Sequence, residues 1–217
     1  MSDLGPLKGF TVLDMTNVLA GPFAGYQLAQ LGARVIKVES LDGDLARQLG
    51  SDPARNQAKM GVSFTAQNAG KESIAVNLKT EQGRILFYRL VTKAHVVIEN
   101  FRPGVMQRLE CDFNTLCEHN PNLVYCAISG FGQDGPMSHL PAYDQIVQGM
   151  SGTMHVTGVP EQGVRVGFPI ADTVGGLTAA MAISAALHKK TAQFIDVSML
   201  ESLMSTIGWV ISTFLQA

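Results

Sequence analysis

The stretch FTVLDMTNVLAGPFAGYQLAQLGARVIKVE, residues 10–39, decides the fold. It opens with a β-branched run, FTVLDM at residues 10–15, and closes with another, ARVIKVE at residues 33–39. Between them, residues 22–31 carry apolar side chains at helical spacing. Two short apolar strands joined through a helix read as a βαβ unit, whose strands run parallel.

The alternation continues outward. SIAVNL (residues 73–78), HVVIE (95–99) and LVYCAIS (123–129) read as strands. Residues 80–91 read as an amphipathic helix with Thr80 at its N-cap, and residues 103–109 and 113–119 as shorter helices. Strand and helix alternate through residue 130, which predicts an α/β fold: a Rossmann-like, doubly wound, mostly parallel sheet with helices on both faces and right-handed crossovers. Residues 42–69 mix Gly, Asp, Asn and Gln without a clean period and read as a long loop, a feature often tied to function.

Beyond Gly130 a Gly/Pro-rich segment leads to a predicted helix over residues 143–150 and an irregular connection over 153–168. A long helix is predicted over 173–189 with Asp172 just before it, then a strand over 194–198 and a helix from Leu200 onward. The last 16 residues are apolar nearly all round, so they are expected to be buried, by a partner chain or by further sequence. This divides the chain into a domain over residues 1–200 and an apolar helix, 201–217.

Composition narrows the function. Sixteen Lys and Arg against 18 Asp and Glu give a net charge of −2, without the basic excess of a dedicated nucleic-acid binder. Apolar residues at 46 % and charged residues at 16 % exclude a disordered chain. The apolar stretches 173–187 and 202–217 fall short of the roughly 18 residues a membrane span needs. MSDLGPLKGF has neither the apolar core nor the cleavage site of a signal peptide. Cys111, Cys117 and Cys126 are odd in number and form no CxxC, which suits free thiols in a reducing cytoplasm rather than disulfides or zinc. The five histidines show no metal-ligand spacing, so no metal is expected. No nicotinamide-type fingerprint, P-loop, GxSxG elbow or HExxH is read.

Three segments can carry chemistry. LAGP at residues 19–22 follows the first strand: its small residues admit a ligand to the backbone and the next helix N-terminus favours anions, or it is a plain turn. NFRPG at residues 100–104 sits at the carboxyl end of a strand, where an aromatic with Arg102 and Arg108 suits a nucleotide, or it is a solvated turn. PIADTVGG at residues 169–176 places a single carboxylate, Asp172, in apolar and glycine-rich surroundings. That carboxylate is a nucleophile, an acid/base group or a helix N-cap.

These segments, in this order, resemble the CaiB–BaiF family, the family III CoA-transferases. The likeness runs through residues 7–39, NAGKESIAVNLKTEQGR (68–84), ENFRPGVMQRL (99–109) and NPNLVYCAISGFGQDGP (120–136). It closes with PAYDQIVQGMSG (141–152), PIADTVGGLTAA (169–180) and IDVSMLES (195–202). The resemblance implies an acyl-CoA substrate, with succinyl-CoA as a candidate, and a carboxylic acid acceptor, with Asp172 as the nucleophile. Asp172 would attack the thioester to give a mixed anhydride, and the released thiolate would convert it to an aspartyl-CoA thioester. The CoA-site positions carry over to Asn17, Val18, Ala20, Lys37, Asn100, Phe101 and Arg108. Asn17 and Leu19 stand where formyl-CoA transferases have His and Gln, which points away from formyl or oxalate specificity. The family's racemases place a catalytic histidine in a segment aligning with PAYD, where this chain has Tyr143, so Tyr143 is a substrate-site residue and transfer is favoured over racemisation. Members of the family are much longer and form interlocked dimers, implying a homodimer or a complementary chain, or a half-chain that only binds CoA or a partner. By the same resemblance, the helix over residues 201–217 is expected to lead toward a second domain absent from this chain.

Overall fold

The computed structural model describes residues 5–159 and 161–217, so the first four residues of the N-terminal reading lie outside it. In chain order the elements are β1 (Thr11–Asp14), α1 (Ala20–Gln30), β2 (Arg34–Glu39), a 3-10 turn (Leu45–Gln48), α2 (Pro53–Gln57), α3 (Val62–Asn68), β3 (Glu72–Ala75), α4 (Glu81–Val91) and β4 (Val96–Glu99). They continue with α5 (Val105–Arg108), α6 (Phe113–His119), β5 (Val124–Ser129), α7 (Asp144–Met150), α8 (Thr153–Thr157), α9 (Ile170–Ala186), β6 (Gln193–Ser198), α10 (Met199–Thr206) and α11 (Gly208–Gln216).

Among the described residues the six strands form one sheet in the order β3-β2-β1-β4-β5-β6, every neighbouring pair parallel. Register explains why the strand sequences are apolar throughout. Val35, Val12, Val96 and Val124 align across four strands and face α1, α9 and α10. One residue on, Ile36, Leu13, Val97 and Tyr125 align and face α4, α5 and α6. Both faces are covered, so alternation between apolar and polar disappears. Each fully buried aliphatic chain in these rows contributes roughly 1.5–3 kcal/mol.

Several local expectations are corrected. Residues 42–69 are not a loop: they hold a 3-10 turn and two short helices, started by Asp44 and by Asp52 with Pro53 behind it. Pieces of four to seven residues are too short to show a period. The connection over residues 153–168 includes α8. The long helix α9 starts at Ile170, so Asp172 lies inside its first turn and Pro169, with no side-chain cap, takes the N-cap position. The C-terminal helix breaks at Ile207. The boundary at residue 200 falls within α10, whose Leu203 is part of the main core. In α11 no residue is buried, and Trp209 is 87 % exposed.

The order of strands reverses between β1 and β4. Both strands leave their carboxyl ends there while their helices depart to opposite faces, which opens the crevice that binds ligands in doubly wound sheets.

Candidate active site

The β1–α1 turn, residues 15–19, forms one wall of that crevice. Asn100, just after β4, straps it: the Asn17 N–H donates to Asn100 Oδ1 at 2.8 Å, and Asn100 Nδ2 donates to the Asn17 carbonyl at 2.9 Å. Beneath the turn, Asp14 accepts from the Thr16 N–H, the Thr16 hydroxyl and Lys71 Nζ. Burial opposes the Asp14 charge, but Lys71 and then Lys37 outweigh it and hold this carboxyl below its usual range.

The opposite wall is the start of α9. Gly176, one turn beyond Asp172, lets α9 lie directly on α1, while Gly175 beside it makes room for Met199 of α10. That contact brings Asp172 to the first turn of α1, where the Ala20 N–H faces its carboxylate and favours the ionised form. Leu19, the N-cap of α1, offers no side-chain acceptor, so Asp172 supplies an anion where the helix dipole favours one. Asp144, at the start of α7, anchors the same region: it accepts from the Ala171 N–H at 2.7 Å and from Gln148 Nε2 at 2.6 Å. Burial first, and the neighbouring Asp144 charge second, push the Asp172 carboxyl up to about 7 against the pull of the Ala20 N–H. A half-buried carboxylate poised near neutrality can act as a nucleophile or exchange a proton.

Asp172 faces a cleft of about 230 Å³ that Asn17, Val18, Ala20, Asn100, Phe101 and Tyr143 also line. Tyr143 is 73 % exposed at its rim. Arg102 is the one cationic side chain among the described residues lining it, and no histidine lines it. A second cleft of about 380 Å³ continues past Asn17 and Phe101 between the ends of β2, β3 and β4. Val38, Val76 and Leu109 make it apolar, while Lys79 and Arg108 bring positive charge to it.

The crevice thus gathers every sequence-assigned residue except Lys37. Lys37 is 1 % exposed, lies 2.9 Å from Asp44 and donates to the Thr16 carbonyl at 2.7 Å, so its ammonium sits under the turn rather than in either cleft. Asp44 and Asp144 were not assigned; the signal available for Asp44 was Lys37, set between apolar residues in VIKV (35–38) of β2. The reading of no dinucleotide fingerprint is corrected in its pattern but not in its outcome: GFGQDG, residues 130–135, follows β5 with the GxGxxG spacing, but no helix begins until Asp144, so its glycines form turns and no phosphate cradle. The cysteines are free. His95 accepts the Thr11 N–H and His119 stacks on Tyr88, both structural contacts. No cluster able to hold a metal, and no helix long and apolar enough to cross a membrane, occurs among the described residues.

Fold and site together define a doubly wound α/β domain with a carboxylate at its switch-point crevice. The chain belongs to CoA-transferase family III, whose model matches residues 7–217. It is 45 % identical over 208 residues to the acetyl-CoA:oxalate CoA-transferase of Acetobacter aceti, covering 93 % of this chain and 52 % of that enzyme. It is 42 % identical over 205 residues to the succinate–glutarate CoA-transferase of Agrobacterium fabrum, covering 90 % and 51 %. The crystal structure of a CAIB/BAIF family protein from Brucella suis superposes with a TM-score of 0.91 at 37 % identity, over 98 % of this chain and 58 % of that one. The chain spans about half the length of the curated relatives it matches. Since a relative named for oxalate is as similar as one named for glutarate, the departures at Asn17 and Leu19 do not decide the acid.

Proposed function

We propose that the chain carries the CoA-binding, nucleophile-bearing part of an enzyme that moves CoA from an acyl-CoA to a carboxylic acid. The observation that carries this reading is the place of Asp172, half-buried in the crevice beside Ala20 at the start of α1. In this reading the CoA nucleotide lies along the second cleft, with Arg108 and Lys79 toward its phosphates, and the thioester enters the first.

Ionised Asp172 attacks the thioester carbonyl, forming an aspartyl–acyl anhydride and releasing the CoA thiolate. The thiolate attacks the aspartyl carbonyl, forming an aspartyl-CoA thioester and releasing the donor carboxylate. The acceptor carboxylate attacks that thioester, and the thiolate freed again takes the acceptor acyl group, regenerating Asp172. A carboxylate is a weak nucleophile in water; fixed geometry in a crevice can supply on the order of 7 kcal/mol or more. Arg102 gives the first cleft a partner for the second carboxylate of a dicarboxylic acid, in keeping with the oxalate, succinate and glutarate in the relatives' names. The reading carries a cytoplasmic location, which keeps the three thiols reduced, and a homodimer or a complementary chain as partner.

The test is covalent capture. The chain is incubated with succinyl-CoA and hydroxylamine or borohydride, and the modified residue is mapped by mass spectrometry. Modification at Asp172, absent from Asp172→Ala, is the expected result; CoA binding without modification would overturn the nucleophile assignment.

A further inference from the structure

Val18, in the wall facing Asp172, has a φ of +67°, in the left-handed region that β-branched residues rarely adopt. Such a backbone persists only where its surroundings over-determine it. Asn100 holds the preceding residue, as described. The Val18 N–H itself is taken by Asp44 Oδ1 at 3.0 Å, the same oxygen that accepts from the Ala46 N–H at 2.9 Å. Asp44 is buried and fixed in turn: its own N–H donates to Glu39 Oε2 at 2.9 Å, and its Oδ2, which has no aligned donor, faces Lys37 Nζ at 2.9 Å. Lys37 meanwhile holds the Thr16 carbonyl. The pair therefore grips the turn at residues 16 and 18, two residues before the Ala20 N–H that meets Asp172.

We infer that Asp44 is a positioning residue for the Asp172 site: by accepting the Val18 N–H it locks the left-handed turn that aims the Ala20 N–H at the Asp172 carboxylate. The inference rests on Asp172 being the reacting group. Lys37 serves the site from below, through Asp44 and Thr16.

Removing one buried charge leaves the other uncompensated, so the variants replace the pair together. Lys37→Met/Asp44→Leu removes the ion pair and the acceptor. Lys37→Met/Asp44→Asn removes the ion pair and keeps the acceptor. Two readouts are taken on the full chain: the titration midpoint of Asp172 by carbon NMR of aspartate-labelled protein, which needs no turnover, and the rate of adduct formation with succinyl-CoA. The leucine variant is expected to raise the midpoint, because the Ala20 N–H is withdrawn, and to slow adduct formation on the order of 10²-fold. The asparagine variant is expected to match the wild-type midpoint. Adding Val18→Gly to the leucine variant restores the midpoint, since glycine adopts positive φ unaided. Equal midpoints in the two double variants, or no recovery with glycine at 18, would overturn the inference. A wild-type chain that forms no adduct would overturn the proposed reaction instead, while the midpoints still decide whether Asp44 sets the Asp172 environment.

Discussion

Gly176 of α9 lies so close to α1 that a Cβ at position 176 would stand 2.5 Å from the Ala20 carbonyl oxygen. Backbone cannot yield as a flexible side chain does, so the helices must separate to admit even a methyl group. Gly176→Ala is therefore expected to cost about 1–3 kcal/mol, despite the higher helix propensity of alanine. It also draws Asp172 away from the Ala20 N–H and slows adduct formation there. Gly149→Ala, in α7, is the control: its Cβ would meet only Met154 Sδ at 3.8 Å, so the change is expected to be neutral or stabilising. Urea denaturation of both variants checks the sign; equal effects would mean that close approach of α1 and α9 is not what position 176 provides.

The strands were legible because both sheet faces are covered, which leaves uninterrupted apolar runs such as VYCAIS. Asp172 was legible as chemistry, a lone carboxylate among Ala and Gly, but not as geometry. Helical spacing could not tell that Pro169 is the N-cap and α9 starts at Ile170, which moves Asp172 from a cap position into the first turn. Asp44 was hidden for a different reason. It falls in a segment rich in polar residues, which pattern reading assigns to the surface, and it is buried against Lys37, seven residues earlier in β2, whose side chain the pattern of the strand does not direct toward it. Pairings between buried charges leave no period in sequence. The apolar pattern of the C-terminal residues calls for a cover that the described residues do not supply, and α11 is exposed.

The Asp172 carboxyl, pushed up to about 7, makes two pH predictions. Adduct formation should rise with pH and level off above about 7, as the nucleophile ionises. Stability should move the other way. The folded-state value lies above the unfolded one, so the protonated form is favoured on folding: this contribution is full below about pH 4 and lost as pH climbs toward 7. Asp172→Asn never carries the buried charge. It should match the wild type near pH 4 and exceed it by up to about 4 kcal/mol at pH 8. Parallel stability curves across that range would contradict the raised value.

Arg108 stands in the apolar second cleft, where a charge-assisted contact to phosphate would add to affinity and to its salt dependence. Arg108→Ala is expected to weaken CoA binding about tenfold at low ionic strength, equivalent to about 1.4 kcal/mol, with the gap narrowing as salt is added. Calorimetric titration with CoA at two salt concentrations reads both effects. An unchanged affinity would place the CoA phosphates elsewhere.

Two buried glutamates at the carboxyl ends of β2 and β4 should respond to pH with opposite signs. Burial pushes the Glu99 carboxyl up to about 7, although it accepts the Phe101 N–H at 2.7 Å and lies 3.5 Å from the Tyr125 hydroxyl. Its contribution is full at low pH and lost between about 4.5 and 7, so Glu99→Gln, which keeps an acceptor for Phe101, should gain up to about 3 kcal/mol at pH 8 and nothing near pH 4. Burial also opposes the Glu39 charge, but Arg47 at 2.6 Å, the Ser73 hydroxyl and the Asp44 N–H overcome it and bring that carboxyl down to about 2. Its contribution is present above about pH 4.5 and lost as pH falls toward 2, so Glu39→Gln should lose about 3 kcal/mol at neutral pH and converge on the wild type in acid. Denaturation series between pH 3 and 8 give the two slopes directly. If both variants shifted in the same direction, burial alone would govern the two sites and the Arg47 pair would contribute nothing.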